Sequence, residues 1–211
     1  MDTRTVGAAN IKTKSILLKE DFAGLNEPYS ESDLFDGILD CEGVMNKLKE
    51  YKNMFSHCRD EDKNPSQYIQ YNFVFAGAPG TGKTTVTNRM GKMFHMLGIL
   101  PTDEEVETST SQLQTGYVGQ SGKKTKEMLM KARGNVLFID ETYQLMPTQG
   151  GAYMQEVVDE LVKDLTSKEI KDKLEVILAG YKSEMDQMLD ANQGLCSRFS
   201  EKLQYAMCRE A

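Results

Sequence analysis

The sequence predicts an α/β protein in which a parallel β-sheet is flanked by helices. Three short apolar runs, at residues 73–76, 136–139 and 176–179, alternate with longer segments whose apolar residues recur every three or four positions. Short unbroken apolar runs are typical of strands buried on both faces. Alternation of strands and helices indicates parallel strands joined by right-handed crossovers. A length of 211 residues fits one large domain, or one domain with a short appendage.

Two segments precede the first apolar run. Residues 1–36 are polar, with several turn-forming residues and a Ser-Glu-Ser-Asp stretch at 30–33, which predicts a partly disordered N-terminal extension. Residues 37–211 then form the core domain. Within it, Leu48, Tyr51 and Phe55 follow helical spacing, so we expect an amphipathic helix over 43–58.

The composition excludes several classes of protein. There are 25 Lys and Arg against 32 Asp and Glu, for a net charge of −7, and this acidic balance argues against a general nucleic-acid binder. Apolar runs reach four residues, whereas a membrane span needs about 20. The first residues do not resemble a signal peptide, and the four cysteines are scattered. We therefore expect a soluble, intracellular protein that does not associate with membranes.

A glycine-rich segment follows the first predicted strand. Residues 77–84 read Gly-Ala-Pro-Gly-Thr-Gly-Lys-Thr and match the phosphate-binding pattern GxxxxGK[ST]. Its main-chain N–H groups and the N-terminus of the next helix can bind phosphate oxygens. Lys83 can reach the β- and γ-phosphates, and the Thr84 hydroxyl can ligate Mg²⁺. The predicted nucleotide-binding residues are Gly77, Ala78, Pro79, Gly80, Thr81, Gly82, Lys83, Thr84 and Thr85.

The second apolar run ends in two carboxylates, Asp140 and Glu141. A buried strand presents its final side chains at the carboxyl edge of the sheet, where ligands bind in open α/β folds. We expect Asp140 to hold Mg²⁺ through the water shell of the ion, and Glu141 to orient and deprotonate the attacking water. The alternative is a strand end with two solvated acids. Their position 57 residues after Lys83, with a helix, a strand and a helix between, favours the catalytic interpretation.

A third strand leads to an arginine. After the run at 176–179 comes a short predicted helix at 183–189, and then a polar loop at 192–199 that contains Arg198. An arginine on such a loop is usually a solvated cation. In an oligomeric nucleotidase it can instead reach the γ-phosphate bound to a neighbour and stabilise transition-state charge. The spacing alone leaves both roles open for Arg198.

Taken together, these pieces resemble the AAA+ ATPases, and in particular the branch that contains the red-type Rubisco activase CbbX and stage V sporulation protein K. The resemblance rests on the segments at residues 77–85, 139–143, 178–181 and 192–199. The segment Leu-Gln-Thr-Gly-Tyr-Val-Gly at 113–119 also resembles the pore-loop segment of that family. The resemblance covers about residues 37–207.

The resemblance implies a P-loop NTPase fold, the AAA+ large subdomain, with a five-stranded parallel sheet. It implies ATP and Mg²⁺ as cofactors, bound at the interfaces of a hexameric ring made of this chain or of neighbouring AAA+ modules. Arg198 would act as an arginine finger in trans. Tyr117 would project into a central pore and grip a polypeptide, although an ordinary turn aromatic is the alternative. A second pore loop around 149–152 carries a weaker signal.

Some positions depart from the family pattern. Many AAA+ proteins end the strand predicted at 175–181 in a polar Asn that helps to position water, whereas this sequence has Ala179, Gly180 and Tyr181 nearby. Cys196 replaces a second basic residue. AAA+ modules continue into a helical lid with a sensor arginine, and because the sequence stops at Ala211 we expect that lid to be missing.

Three functions follow from these observations. The first is a Mg²⁺-dependent ATPase whose ring couples hydrolysis to remodelling of a protein substrate, with Lys83, Glu141 and Arg198 as catalytic residues, Thr84 and Asp140 at the metal and Tyr117 in the pore. The second is an ATP-binding scaffold or sensor domain with little turnover. The third is a P-loop protein acting on nucleic acid, which the acidic charge and Tyr117 disfavour. The sequence does not name the remodelled protein.

Overall fold

The computed structural model describes residues 42–61, 63, 68, 71–78, 80–117 and 119–204. The predicted extension at 1–36 lies outside the described residues, and so does Pro79 of the glycine-rich segment. The sequence favours a last strand near 202–207, of which 205–207 are also outside the described part.

The core of the fold is a five-stranded sheet in which every neighbouring pair of strands is parallel. The strands are β1 (Asn72–Ala76), β2 (Glu105–Ser109), β3 (Val136–Asp140), β4 (Glu175–Gly180) and β5 (Glu201–Gln204). Their order across the sheet is β2-β3-β4-β1-β5, so β4 lies in the middle between β3 and β1. The predicted five-stranded parallel sheet is confirmed.

Helices connect the strands. They are α1 (Glu42–Asp60), α2 (Lys83–Met96), α3 (Thr110–Leu113), α4 (Gln120–Lys131), α5 (Pro147–Asp164), α6 (Lys182–Ala191) and α7 (Gln193–Arg198), with a short 3₁₀ helix at Thr142–Leu145. The helix expected over 43–58 is confirmed as α1, which buries Leu48 and Tyr51.

The sheet separates two apolar clusters, because alternate side chains of a strand point to opposite faces. On one face Phe73 and Phe75 of β1 pack in the cluster formed by α1 and α2. On the other face Val74 packs in the cluster that contains the buried residues of α4, α5, α6 and α7. Helices therefore cover both faces, as the unbroken apolar runs predict.

Strand β2 has no apolar run, and the sequence analysis did not locate it. Its sequence is Glu-Val-Glu-Thr-Ser. Among the described strands it pairs with β3 alone, at the edge of the sheet. An edge strand faces less of the core and can carry exposed charged residues such as Glu107. Alternation of polar and apolar residues over five positions is too short a signal to identify such a strand.

Helix α2 lies unusually close to β3 at Gly91. This glycine is buried, and a Cβ built on it would lie 2.9 Å from Cγ2 of Val136 and 3.5 Å from the carbonyl oxygen of Asp103. A side chain at position 91 would therefore separate α2, which begins at Lys83, from the strand that carries Asp140.

We expect Gly91→Ala to destabilise the fold by about 1–3 kcal/mol through overpacking, although alanine is favoured over glycine in most helices. Urea unfolding would show this as a lower midpoint. In a Val136→Ala background the clashing methyl group is gone, so the same substitution should cost clearly less there. An equal cost in both backgrounds would contradict the proposed steric cause.

A second feature lies at the amino end of the sheet, where two carboxylates are buried. Glu105 and Glu175 both pair in register with Val136, and Glu175 is fully buried. Among the described residues, neither carboxylate oxygen of Glu175 has a hydrogen-bond partner. Burial, followed by the charge of Glu105, raises the pKa of Glu175 well above its usual value. Burial and the charge of Glu107 raise the pKa of Glu105 to about 7.

This pair makes stability depend on pH. Near neutral pH the unfolded chain has both carboxylates ionised, whereas the native state favours their protonated forms, so stability falls as pH rises toward and through the native pKa values. Each proton retained only by the native state changes the free energy of unfolding by about 1.4 kcal/mol per pH unit. We expect Glu175→Gln to flatten the fall in melting temperature between pH 6 and 8.5. Glu104→Gln, which changes an exposed carboxylate, should keep the wild-type slope. An unchanged slope in Glu175→Gln would contradict this assignment.

Candidate functional site

The glycine-rich loop leaves the carboxyl end of β1 and leads directly into α2. The Gly77 N–H donates to the carbonyl oxygen of Gly180 at the end of β4 (3.0 Å), which fixes the start of the loop against the central strand. Gly80 and Gly82 have φ values of 73° and 77°, a left-handed conformation that glycine adopts without steric cost. The loop thus turns back over the end of the sheet before α2 begins at Lys83.

The Lys83 ammonium lies within this loop. Its Nζ donates to the carbonyl oxygens of Gly77 (3.1 Å) and Ala78 (2.9 Å). Burial lowers the pKa of Lys83, and the negative charge of Asp140 partly opposes that change. The lysine is therefore held at the carboxyl edge of the sheet, within electrostatic reach of the acidic residue that ends β3.

The N-terminus of α2 is open to an anion. Its N-cap residue, Gly82, provides no side-chain hydrogen bond, and its first turn contains no acidic residue. The first N–H groups of a helix lack partners within the helix and carry a partial positive charge. Thr84 and Thr85 are exposed in this first turn, whereas Thr81 is buried and donates its hydroxyl to the carbonyl oxygen of Ala78 (2.8 Å). These features fit a bound polyphosphate.

Asp140 is the last residue of β3 and is half-buried. One carboxylate oxygen, Oδ1, accepts the N–H of Glu141 (2.8 Å), and the Asp140 carbonyl accepts the hydroxyl of Thr110 (3.3 Å). Because β3 and β1 both pair with β4, Asp140 and the glycine-rich loop meet at the same edge, one strand apart. The structure therefore brings together the two halves of the predicted site.

Glu141 has a strained main chain. Its φ of 56° and ψ of 31° lie in the left-handed region, which costs a residue with a side chain roughly 1–2 kcal/mol. The side chain is exposed at the site, and its Oε2 accepts a hydrogen bond from Nε2 of Gln144 (3.2 Å). Such strain often occurs at active sites, and here it turns the chain from β3 into the 3₁₀ helix.

Two tyrosines flank this edge, and the sequence analysis did not foresee their contact. The rings of Tyr143 and Tyr181 lie 5.8 Å apart between centroids, and Tyr181 is 42% exposed. A Cβ added to Gly180 would lie 2.7 Å from the sulfur of Met185 and 3.4 Å from the ring of Tyr143. The small residue at position 180 thus lets the Tyr143 ring pack against the end of β4. Only the order of the strands brings these residues together.

The expected magnesium ligands fit the ion. Asp140 and the Thr84 hydroxyl belong to elements that meet at this edge, and Mg²⁺ usually takes one or two carboxylates together with phosphate oxygens and water. Among the described residues there is no group of three or more His, Cys, Asp or Glu side chains that could hold a metal alone. The donor set thus fits an ion that arrives with a nucleotide.

The sequence predicted Arg198 on a loop. In the structure it is the last residue of helix α7. The prediction was wrong because this helix has six residues, too few to show a periodic pattern. Nη1 of Arg198 donates to the carbonyl oxygen of Gly194 (2.8 Å) and to Oγ of Ser197 (3.2 Å). Among the described residues its buried Nε has no partner. The guanidinium group is therefore hydrogen-bonded to residues of its own helix.

Tyr117 projects from a turn between α3 and α4, and 71% of it is exposed. Its carbonyl oxygen accepts the hydroxyl of Thr115 (3.0 Å) and the N–H of Gln120 (3.3 Å). The Tyr117 carbonyl is thus held by one side-chain and one main-chain donor, while the aromatic ring is solvated. In the segment around 149–152, α5 is interrupted at Gly151 (φ 57°, ψ −159°).

None of the described helices is both long and apolar enough to cross a bilayer.

Comparison with known proteins identifies the family. Residues 73–206 match the model of the ATPase family associated with various cellular activities (AAA). The chain is 34% identical to protein CfxQ of Xanthobacter flavus over 177 residues, which are 82% of this chain and 55% of that protein. It is 42% identical over 132 residues to the chromosomal protein CbxX of Cupriavidus necator, covering 62% of this chain and 41% of that protein.

A third relative is stage V sporulation protein K of Bacillus subtilis, which is 40% identical over 126 residues, or 60% of this chain and 38% of that protein. The chain thus spans about half the length, or less, of these curated relatives. The family match covers more than half of the chain, including both halves of the site. The chain belongs to the AAA family of ATPases, in the branch that includes the CbbX-type proteins and stage V sporulation protein K.

Proposed function

We propose that this chain is a Mg²⁺-dependent ATPase module that works within a ring and remodels a polypeptide. The observation that carries the proposal is the position of Lys83, which lies in the glycine-rich loop within electrostatic reach of Asp140. A cation inside a loop of main-chain donors, opposite a carboxylate, suits a nucleotide phosphate with its metal ion.

Each residue has a distinct role in hydrolysis. Lys83 leaves the carbonyl oxygens of Gly77 and Ala78 and binds the β- and γ-phosphate oxygens, while the N–H groups at the start of α2 bind the remaining charge. Thr84 and Asp140 would hold the metal, Thr84 through its hydroxyl and Asp140 through the water shell of the ion. Bound Mg²⁺ supplies charge neutralisation on the phosphates. Glu141 orients the attacking water and accepts its proton.

The proposal also includes the assembly of several subunits into a ring. Arg198 would stabilise transition-state charge at a neighbour's site, which requires its guanidinium to leave the carbonyl oxygen of Gly194. Tyr117 would contact the polypeptide, since a solvated aromatic ring on a turn bordered by Gly116 and Gly119 offers contact area together with mobility. Membership of the AAA family, whose members commonly oligomerise, supports this assembly. We assign residues 37–211 to the module.

A second function is an ATP-binding scaffold or sensor with little turnover. One observation favours it: Arg198 is bound to its own helix. The two functions differ in whether specific activity rises with protein concentration, because only a ring brings Arg198 to a second site.

We expect Glu141→Gln to bind ATP with wild-type affinity and to lose at least about a hundredfold in turnover, the scale expected for a general base. Lys83→Ala should lose ATP binding itself, because the loop then lacks its cation. Titration with a fluorescent ATP analogue and a steady-state phosphate-release assay would measure the two effects. Full turnover in Glu141→Gln would show that Glu141 is not the general base. Unchanged ATP affinity in Lys83→Ala would refute the assignment of residues 77–84 as a phosphate-binding loop.

We expect Arg198→Ala to retain the ATP affinity of the dilute chain and to lose the rise in specific activity with protein concentration. Arg133→Ala, which removes an exposed arginine at the end of α4, serves as the matched control and should behave as wild type. If dilute wild-type protein hydrolyses ATP as fast per chain as concentrated protein, Arg198 does not act in trans. If ATP binds but turnover is undetectable at every concentration, the scaffold function is favoured.

A further inference from the structure

A carboxylate on helix α5 holds the turn that carries Tyr117. Oε1 of Glu156 accepts the N–H of Gly119 (2.7 Å), and Oε2 accepts the N–H of Ser121 (3.2 Å). Gly119 is the N-cap residue of α4, and Ser121 is the second residue of that helix. The two bonds cross 37 and 35 positions of sequence, so they are tertiary contacts that no local pattern encodes.

No described residue near the N-terminus of α4 caps that helix with its side chain, and Glu156 of α5 takes this role. Gly119, the N-cap residue, has no side chain to offer, and the first turn of α4 contains no acidic residue. An anionic carboxylate at a helix N-terminus interacts favourably with the helix dipole and forms charge-assisted hydrogen bonds. Gly119 itself has a φ of 83°, so the chain turns sharply at the position that Glu156 binds.

The same contact reaches Tyr117 through two hydroxyl groups. Ser121 is buried, and its Oγ accepts the N–H of Thr115 (3.1 Å). The Thr115 hydroxyl in turn donates to the carbonyl oxygen of Tyr117 (3.0 Å). Hydrogen bonds therefore join the start of the turn at Thr115 to its end at Ser121, and Glu156 links the turn to helix α5.

The chain that leads from Glu141 to Glu156 connects this tether to the nucleotide edge, with an interruption of α5 at Gly151. The 3₁₀ helix at Thr142–Leu145 follows Glu141 and leads into α5. A Cβ built at Gly122 of α4 would lie 3.5 Å from the carbonyl oxygen of Glu156, an ordinary van der Waals distance, so α4 and α5 are in contact where the cap forms. A short run of chain thus links Glu141 to the turn.

We propose that Glu156 is a positioning residue for polypeptide binding: its carboxylate fixes the turn at 115–121 so that the ring of Tyr117 projects toward the polypeptide. This inference rests on the proposed function of Tyr117. Glu156 itself touches neither nucleotide nor polypeptide, and it acts through the main chain of Gly119 and Ser121.

Amide hydrogen exchange on the full chain tests the tether without any ligand. Glu156→Ala should accelerate exchange at Gly119 and Ser121 on the order of tenfold, as expected for losing a charge-assisted hydrogen bond. Glu156→Gln keeps one acceptor oxygen and should give a smaller acceleration. Asp159→Asn, which changes an exposed carboxylate on the same helix, should leave both amides protected. Unchanged exchange in Glu156→Ala would overturn the inference.

Polypeptide binding tests the consequence. The probe is fluorescein-labelled, reduced and carboxymethylated α-lactalbumin, a permanently unfolded chain, and anisotropy is measured with ATP present. Glu156→Ala should raise the Kd for the probe at least about fivefold, the scale of losing an aromatic anchor, while ATP affinity stays within about twofold and reports an intact fold. Asp159→Asn should bind the probe as wild type does.

A double-mutant cycle separates positioning from a general structural effect. If Glu156 acts through Tyr117, then Glu156→Ala costs nothing further in a Tyr117→Ala background. An equal loss in both backgrounds would overturn the inference, and so would weaker probe binding in Tyr117→Ala without any loss in Glu156→Ala. Unchanged binding in Tyr117→Ala alone would instead refute the proposed function of Tyr117, and the positioning role would fall with it.

Discussion

The parallel pairing of β4 with β1 on one side and β3 on the other is the constraint on which the site depends. It places the carboxyl ends of all three strands at one edge, so the glycine-rich loop, Tyr181 and Asp140 meet there. The hydrogen bond from the Gly77 N–H to the carbonyl oxygen of Gly180 extends this pairing by one residue beyond β1. Without that register Lys83 would not lie opposite a carboxylate, and the loop would be an ordinary turn.

The two edges of the sheet use acidic residues in opposite ways. At the carboxyl edge Asp140 is half-buried, and its negative charge partly opposes the lowering of the Lys83 pKa by burial. At the amino edge Glu175 is fully buried, and neither of its oxygens has a partner among the described residues. Burial there favours the protonated form, which costs stability as pH rises. One edge therefore suits a metal and a nucleotide, whereas the other makes the fold sensitive to pH.

Helix α5 follows the 3₁₀ helix after Glu141 and reaches the turn that carries Tyr117. It begins after the strained turn at Glu141 and presents Glu156 to the turn of Tyr117. A Cβ built at Gly122 of α4 would lie 3.5 Å from the carbonyl oxygen of Glu156, an ordinary van der Waals distance, so the two helices are in contact there. Between Glu141 and Glu156 the helix is interrupted at Gly151, where φ is 57° and ψ is −159°.

The sequence alone determined the α/β class, the glycine-rich loop and the pair at 140–141. These follow from local patterns, because a buried strand needs an apolar run and a phosphate loop needs glycines followed by a lysine at fixed spacing. Helix α1 was also predictable from its periodic apolar residues. Strand β2 and helix α7 were not located as such, since each is too short to establish a period.

Only the tertiary structure decided which side chains act together. The pairing of Tyr143 with Tyr181, the hydrogen bonds of Arg198 to its own helix, and the cap that Glu156 provides to α4 all depend on the order of strands and the packing of helices. These contacts join residues whose identities are common at exposed positions, so the sequence gives them no distinguishing signal. Their roles arise from distance and burial, and the folded chain alone fixes both.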